Sequence, residues 1–257
     1  MRRLGQHFLS DPKILGRIAD ALDPRPGETV IEIGPGRGSL TAILLDRGLK
    51  VIAIEKDRRL IAELHGKRGT GNVNVVGGDG LKIDWHQLIA PTFPVSCVPF
   101  PVFKIVGNIP YYITSPLLEK ALTPPLPERV VFLVQAEVAD RIAAHPGTKI
   151  YGALSVGVQA VCRVEKLFQI APGAFRPPPK VRSAVVRLTP LAEPLIKPEE
   201  VAPFRKFVTA CFSRRRKQLK NAVPGMTAAD LEALGLDPKL RPERLSPSDF
   251  VRLMRSR

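Results

Sequence analysis

A glycine-rich turn and two acidic residues have the spacing of a nucleotide-binding site. The apolar segment Thr29–Ile33 leads into Gly34-Pro35-Gly36-Arg37-Gly38, where glycines without a Cβ let a ligand approach the backbone closely. Glu55 and Asp79 each follow a further apolar segment. Glu55 could accept two hydrogen bonds from a ribose diol, and Asp79 could accept one from an adenine amine. Each acid alone could equally be a solvated loop carboxylate, but together with the turn they indicate a nucleotide site.

A second set, Asn108-Ile109-Pro110-Tyr111, combines hydrogen-bond acceptors with an aromatic ring. Asn108 offers a side-chain carbonyl, and Ile109 offers a backbone carbonyl that the following proline leaves free. Both could accept hydrogen bonds from an amine on a flat ring, and Tyr111 could stack on that ring. Taken alone, the segment could be an Asn-Pro turn with packed tyrosines. It follows a fourth apolar segment, however, so we expect it at the same sheet edge as the glycine turn.

Alternating strand and helix patterns must position these residues. Strands are predicted at 29–33, 50–54, 73–76, 104–106 and 130–134, and helices at 12–22, 39–47 and 58–65. Continuous apolar strands separated by helices indicate a parallel sheet with helices on both faces. The segments 161–168 and 184–188 are rich in β-forming residues and predict an added hairpin. We therefore predict an α/β, Rossmann-like mixed sheet.

The last third of the chain has a different composition. Pro190, Pro194 and Pro198 suggest a linker, which predicts a catalytic domain over 1–190 and a small all-α domain over 191–257. The apolar spacing from Phe204 to Leu219 predicts a helix. The same helix would carry a basic run, which we expect to bind RNA although it could be only a solvated helix face: Arg214, Arg215, Arg216, Lys217 and Lys220.

Composition narrows the classes of partner. The 257 residues hold 39 Lys and Arg against 24 Asp and Glu, a formal net charge of +15 that points to a polyanion such as nucleic acid or an anionic membrane surface. Three separated cysteines and four histidines show no metal-ligand spacing, so we expect no metal site and no disulfide framework. With no apolar run long enough to span a membrane, we expect a cytoplasmic protein.

The glycine turn with Glu55 and Asp79 resembles the S-adenosylmethionine pocket of class I methyltransferases. That resemblance places Glu32 near the methionine end of the cofactor, Glu55 at the ribose and Asp79 at the adenine. Asn108-Ile109-Pro110-Tyr111 resembles the signature of N6-adenine methyltransferases. An exocyclic amine is a poor nucleophile because its lone pair is delocalised into the ring, so an enzyme must mainly align it and relocalise that pair.

Further segments resemble the ribosomal RNA adenine dimethyltransferase family over nearly the whole chain. They are Gly5–Leu9, Ile31–Thr41, Gln135–Arg141, Phe175–Val186 and Phe212–Asn221. The resemblance implies dimethylation of two adjacent adenosines in the 3′-terminal hairpin of small-subunit rRNA, binding to an immature small ribosomal subunit, and, we expect, a monomer. Cofactor contacts would fall on His7, Leu9, Gly34, Glu55, Asp79 and Asn108, with Gly36 and Gly38 in the turn.

The same resemblance makes Phe175 the second face of an aromatic clamp with Tyr111. Two positions depart from the usual family residues, because His7 and Tyr112 stand where many members carry Asn. The alternatives are a large-subunit rRNA adenine dimethyltransferase conferring macrolide (erythromycin) resistance and a non-catalytic nucleic-acid-binding relative. A nicotinamide-dependent dehydrogenase is disfavoured because Ser39 stands where its fingerprint G-x-G-x-x-G requires the third glycine.

Overall fold

The structure is a computed structural model that describes residues 7–66, 72–89 and 102–257. The strands are β1 Phe8–Leu9, β2 Thr29–Ile33, β3 Lys50–Glu55, β4 Val73–Gly77, β5 Phe103–Asn108, β6 Arg129–Gln135, β7 Cys162–Ile170, β8 Phe175–Arg176 and β9 Ser183–Pro190. The helices of the first half are α1 Pro12–Asp20, α2 Ser39–Asp46, α3 Arg58–Gly66, α4 Trp85–Ile89, α5 Thr114–Ala121 and α6 Ala136–Ile142. Those that follow are α7 Ala153–Gln159, α8 Val201–Ser213, α9 Leu219–Ala222, α10 Ala228–Ala233 and α11 Pro247–Arg255.

The large sheet has the strand order β4-β3-β2-β5-β6-β9-β7. The first five strands in this order are parallel, and β9 runs antiparallel to β6. The chain moves outward from β2 through α2 to β3, and in the opposite direction from β5 through α5 to β6. Right-handed crossovers therefore place α2 and α5 on opposite faces of the sheet. This confirms the predicted α/β fold with a mixed sheet.

Burial explains why the central strands are continuous apolar runs. Every residue of β2 is buried, and β3 is buried from Val51 onward. The helix α1 begins where the Asp11 carboxylate accepts hydrogen bonds from the N–H groups of Lys13 and Ile14, with Pro12 at its first position. Its buried face packs with α2 and the sheet in the main core. The small β1–β8 pair lies beside this core, with Leu9 opposite Phe175.

The chain divides into two compact units. The first contains the described residues up to Ala139 together with Glu165–Thr189, and the second contains Asp140–Val164 together with Pro190–Arg257. One boundary between the units falls between Thr189 and Pro190. Residues 140–164, which the sequence analysis placed in the catalytic domain, belong to the second unit, where they bond to the segment that precedes α8. Leu191 and Leu195 donate to the carbonyls of Val161 and Ala160, for example.

The basic run does not continue the preceding helix, contrary to the prediction. The helix α8 ends at Ser213, and residues 214–217 form a turn in which the Lys217 N–H donates to the Arg214 carbonyl at 2.8 Å. The Leu219 N–H then donates to the Leu240 carbonyl at 2.7 Å, so a tertiary hydrogen bond replaces a helical one. The cysteines Cys162 and Cys211 are buried and unpaired, whereas Cys97, Gly5, Gln6 and most of the Pro91–Phe103 loop lie outside the described residues.

The described residues contain neither a helix that could cross a membrane nor a cluster that could hold a metal ion. No helix among them is long and apolar enough to cross a membrane. Within the same ranges, no group of three or more His, Cys, Asp or Glu side chains is arranged to hold a metal ion.

Candidate functional site

A cavity of about 480 Å³ opens at the carboxyl ends of β2, β3 and β5, within the first unit. It lies where the strand order reverses direction, which is the usual place for a ligand in an open α/β sheet. Most of the predicted site residues line it: His7, Leu9, Glu32, Gly34, Gly36, Glu55, Asn108, Ile109, Pro110 and Tyr111. Its volume falls within the range of small-molecule and cofactor sites.

The glycine turn follows β2 and forms one wall of the cavity. Gly34 and Gly36 have φ angles of +68° and +59°, in the left-handed region where a side chain is strained. A Cβ on Gly36 would lie 3.0 Å from the Phe8 ring, so this residue also allows β1 to approach the turn. The Gly34 N–H donates to the Ile54 carbonyl at 3.0 Å, which ties the turn to β3. The turn therefore presents bare backbone to the cavity.

Glu32 is a buried acid on β2 that lines the cavity. Only 1% of its surface is exposed, and its Oε2 accepts a 2.6 Å hydrogen bond from the Thr41 hydroxyl. Burial raises the pKa of Glu32 to about 7, against the lowering effect of the Thr41 bond, and the nearby Glu55 raises it further. No ion pair joins Glu32 to a cation in the part of the chain that the structure describes. The site thus holds a carboxylate that a bound cation would stabilise.

Glu55, at the end of β3, is held by the backbone around it. Its Oε2 accepts from the Gly36 N–H at 3.1 Å, and its Oε1 accepts from the N–H groups of Lys56 and Asp57 at 2.8 and 2.9 Å. Burial raises the pKa of Glu55 despite these bonds, which lower it. Three donors fix the carboxylate in one orientation, leaving acceptor capacity toward the cavity. Two hydroxyl groups of a ribose are suitable donors for such a fixed carboxylate.

Asn108, the last residue of β5, is oriented by the backbone of the N-terminal segment. Its Nδ2 donates to the His7 carbonyl at 2.9 Å, so its Oδ1 is left to accept a hydrogen bond in the cavity. His7 is itself fixed, because its Nδ1 lies 2.7 Å from the Pro177 carbonyl and must donate to it. The close pairing of β5 with the end of β2 requires Gly107, since a Cβ there would lie 2.7 Å from the Ile33 carbonyl oxygen.

Tyr111 is fixed at the cavity wall by its hydroxyl. The hydroxyl lies 2.7 Å from the Ser183 Oγ, and burial raises the pKa of Tyr111. Its ring stacks with that of His7 at a centroid distance of 6.1 Å and an interplanar angle of 27°. Within the described residues, no backbone N–H donates to the Ile109 carbonyl, which precedes Pro110. A rigid ring and two carbonyl oxygens therefore border the same space.

Three of the predicted catalytic and cofactor-binding residues do not line this cavity. Gly38 packs against α3, where a Cβ would lie 2.8 Å from Leu64. The Asp79 carboxylate binds Lys56 Nζ at 2.8 Å and the Leu81 N–H at 3.0 Å. Phe175 has no exposed surface and belongs to the main core, so it does not face Tyr111 as a clamp would require. The pairing of β8 with β1 explains this burial, because it places Phe175 opposite the buried Leu9.

The basic run lies in the second unit and divides into two kinds of residue. Arg215 binds protein atoms: its Nη2 donates to the Lys149 carbonyl at 2.6 Å, and its Nε lies 3.4 Å from Glu243. Arg214 donates to the Asn221 carbonyl at 3.3 Å. The side chains of three residues are exposed and bind no protein group among the described residues: Arg216, Lys217 and Lys220. Only part of the run is therefore available to an external anion.

Sequence reasoning missed several residues that shape the cavity. Thr41 donates to Glu32, and Ser183 hydrogen-bonds to Tyr111. Arg37 and Arg176 line the cavity and add positive charge to its wall. Thr41 and Ser183 stand inside the runs that resemble the family, but the sequence does not show which side chains they bond to. Only the fold reveals those partners.

Comparisons with known proteins support the same family. The model of the family described as "Ribosomal RNA adenine dimethylase" matches residues 1–256. A protein from Hahella chejuensis named "Ribosomal RNA small subunit methyltransferase A" is 42% identical over 98% of this chain and 90% of its own length. A relative of the same name from Aromatoleum aromaticum is 43% identical over 97% of this chain and 91% of its own length.

Solved structures resemble this fold over its full length. A dimethyladenosine transferase from Plasmodium falciparum has a TM-score of 0.80 and 30% identity, covering 96% of each chain. The 23S rRNA methyltransferase ErmE has a TM-score of 0.70 and 30% identity, covering 97% of this chain and 98% of its own. The cavity where the strand order reverses, the glycine turn and Asn108 are all in place. Together with the family match and these relatives, they show that this chain belongs to the ribosomal RNA adenine dimethylase family.

Proposed function

We propose that this protein is an S-adenosylmethionine-dependent methyltransferase that dimethylates the N6 amino groups of two adjacent adenosines in the 3′-terminal hairpin of small-subunit rRNA. The observation that carries the proposal is the state of Asn108. One N–H of its Nδ2 donates to the His7 carbonyl, which fixes the amide and leaves its Oδ1 as a hydrogen-bond acceptor. An acceptor beside a stacking ring is suited to an adenine amine.

The residues around the cavity fit S-adenosylmethionine. The buried Glu32 carboxylate has no cationic partner in the described chain, which suits the ammonium of the methionine part. Glu55 is oriented for a ribose diol, and the glycine turn, which has no side chains at Gly34 and Gly36, leaves room for the cofactor. Asp79 is expected at the adenine amine, where Lys56 now binds one of its oxygens. When bound, the cofactor supplies a methyl group already activated on a sulfonium.

The protein's own residues would align and activate the target amine. Asn108 Oδ1 and the Ile109 carbonyl accept its two N–H groups, which favours a tetrahedral nitrogen with a localised lone pair. Tyr111 stacks on the adenine and holds its plane, while its bond to Ser183 keeps the tyrosine from rotating. Phe175 is buried in this structure, so the proposed stacking needs only Tyr111 and the wall around it. Proximity and orientation supply most of the acceleration in such a transfer.

The choice of small-subunit rRNA is supported by similarity. Relatives at 42–43% identity carry a small-subunit name, whereas the 23S rRNA methyltransferase is 30% identical. The intact Asn108 arrangement argues against a purely binding relative. We extend the proposal to an immature small ribosomal subunit as the natural substrate, a monomeric enzyme, and action in the cytoplasm where subunits assemble.

Methylation of purified small subunits tests the function. Subunits from a strain that lacks this modification should accept tritiated methyl groups from S-adenosylmethionine, and mapping should place them on two adjacent adenosines near the rRNA 3′ end. Large subunits provide the matched control and should accept none. Methylation of large subunits instead, or of neither, would contradict the proposal.

The exposed part of the basic run is proposed to bind RNA phosphates. Replacing Arg216, Lys217 and Lys220 together with Gln should lower RNA affinity and reduce the slope of log K against log salt by about one per lost phosphate contact. The single variant Arg215→Gln is the control, because Arg215 binds Lys149 and Glu243 within the protein. It should leave the salt slope unchanged. An unchanged slope in the triple variant would show that the run is only a solvated surface.

A further inference from the structure

Tyr112 is an exposed aromatic residue at the edge of the proposed active site. Among the described residues, four large hydrophobic side chains are exposed: Val102, Tyr112, Ile150 and Val181. Tyr112 is the most exposed of them, at 66%, and the one aromatic residue in that set. Its hydroxyl has no hydrogen-bond partner in the described part of the chain. The ring is therefore available to a ligand, and its position directly after Tyr111 is what relates it to the site.

The backbone fixes Tyr112 beside the site. The turn Tyr111–Ile113 is closed by the Ile113 N–H, which donates to the Pro110 carbonyl at 3.1 Å. The Thr114 hydroxyl donates to the Tyr111 carbonyl at 3.1 Å. The two consecutive tyrosines therefore differ: Tyr111 is anchored at the cavity wall, whereas Tyr112 is held next to it outside that wall.

A cation lies on the same part of the rim. The pKa of Lys56 is raised, first by its hydrogen bond and charge interaction with Asp79 and, to a smaller extent, by the Tyr112 hydroxyl. Lys56 Nζ is on the surface but already forms an ion pair with Asp79 at 2.8 Å, so the exposed ring is the group that this part of the rim offers to a ligand. An exposed ring suits a single-stranded nucleotide, whose base can stack on it.

We propose that Tyr112 stacks on the nucleobase next to the adenosine in the cavity and so contributes to recognition of the adjacent pair. The inference rests on the proposed function, since a target base in the cavity must be unstacked and its neighbour loses a stacking partner. Tyr112 supplies the flat surface that replaces this partner. Because every base has such a face, the contact strengthens binding of an unpaired neighbour whatever its identity, and a purine more than a pyrimidine.

Kinetics on unmethylated small subunits test this role. Tyr112→Ala should raise KM for the subunit about 5- to 100-fold, the range expected for one base–aromatic stack, with kcat nearly unchanged. Tyr112→Phe should retain wild-type KM, because stacking does not need the hydroxyl. Ile150→Ala removes another exposed apolar side chain and should have no effect. The affinity for S-adenosylmethionine, measured by calorimetry, should be the same in all four proteins.

A nucleotide substitution identifies the partner of the ring. Reconstituted subunits in which one of the two adenosines is replaced by uridine leave one target with a weakly stacking neighbour. With these subunits the wild-type protein should lose affinity, and Tyr112→Ala should lose little more than it has already lost. An unchanged KM in Tyr112→Ala, or a loss of cofactor affinity, would overturn the inference. A wild-type protein inactive on all subunits would instead overturn the proposed function.

Discussion

The two edges of the parallel sheet both bury ionisable side chains, but only one of them pairs these side chains with opposite charges. At the amino edge, Lys104 is 1% exposed and its Nζ donates to Glu28 Oε2 and to the Asp23 carbonyl, both at 2.7 Å. Glu128 lies 3.7 Å from the same ammonium. At the carboxyl edge, Glu32 and Glu55 are 1% and 4% exposed and form no ion pair within the described chain. The buried charge at the amino edge is paired with opposite charges, whereas the buried acids at the carboxyl edge have no cationic partner in the described chain.

The difference separates a structural role from a binding role. A buried charge is costly unless it is paired, so a fold stabilises itself by pairing charges as the amino edge does. The carboxyl edge keeps two acids close together with hydroxyl and backbone donors in place of cations, at the expense of raised pKa values. Such an arrangement is typical of a site that a ligand completes. Changes at the amino edge should therefore affect stability, and changes at the carboxyl edge should affect ligand binding and catalysis.

The largest expected effect is on stability at the amino edge. Lys104→Met would leave Glu28 and the Asp23 carbonyl without their partner and should lower the free energy of unfolding by about 3–5 kcal/mol in urea titrations. The control is Lys50→Met, because Lys50 is exposed at the start of β3 on the same edge and should change stability by less than about 0.5 kcal/mol. Reduced cofactor affinity with full stability in Lys104→Met would break the comparison.

Asn108→Ala should affect catalysis much more than stability. Loss of one acceptor that positions the reacting amine is expected to reduce methyl transfer about 100- to 1,000-fold. The free energy of unfolding should fall by only about 1 kcal/mol, because one hydrogen bond to His7 is lost. Tritiated-methyl assays beside filter-binding curves measure both functions, with Asn74→Ala on β4 as the control. Parallel loss of RNA binding and activity would count against a role at the reacting atom.

Glu55→Gln should weaken cofactor binding by a smaller amount. Replacing a charged acceptor with a neutral one is expected to raise the Kd for S-adenosylmethionine roughly 10- to 100-fold by calorimetry. Asp46→Asn, an exposed acid at the end of α2, is the matched control. If the two variants bind S-adenosylmethionine equally well, Glu55 only holds the glycine turn in place through its hydrogen bond to Gly36.

The smallest effect at neutral pH concerns Glu32. Its pKa of about 7 means that it becomes protonated as pH falls below 7, so the affinity for the cofactor's ammonium should fall by up to tenfold per pH unit in that range. Calorimetry between pH 5.5 and 8 measures this dependence, and Glu32→Gln should abolish it. A profile for the wild-type protein that is flat across this range would remove Glu32 from ammonium binding.

The same shift has a consequence for folding. Folding raises the pKa of Glu32 from 4.5 to about 7. Glu32 therefore lowers the free energy of unfolding progressively as pH rises from about 4.5 to 7, and this reduction is complete above pH 7. Glu32→Gln should therefore gain stability relative to the wild type at pH 8 but not at pH 4.5.

Local patterns predicted the site because its parts occupy fixed places in the strand–turn–helix repeat. The glycine turn follows β2, Glu55 ends β3 and Asn108 ends β5, so knowing that the strands are parallel was enough to bring them to one edge. The continuous apolar runs that become β2 and β3 predicted burial on both faces. The family resemblance then supplied the cofactor and substrate class.

Contacts between distant segments could not be predicted in this way. The sequence contains His7, Asn108, Tyr111 and Ser183, but their hydrogen bonds join residues 101 and 72 positions apart. The burial of Phe175 depends on the pairing of β8 with β1, and the break after Ser213 depends on a backbone bond to Leu240. Each of these is decided by which segments meet in space.

The amino-acid sequence by itself determined the fold class, the edge that carries the site and the family, because those depend on periodicity and on motifs within single segments. The tertiary structure decided which acids are left without cations, which way the Asn108 amide points and which arginines face solvent. Those properties depend on desolvation and on hydrogen-bond geometry between segments, and both arise only when the chain is packed.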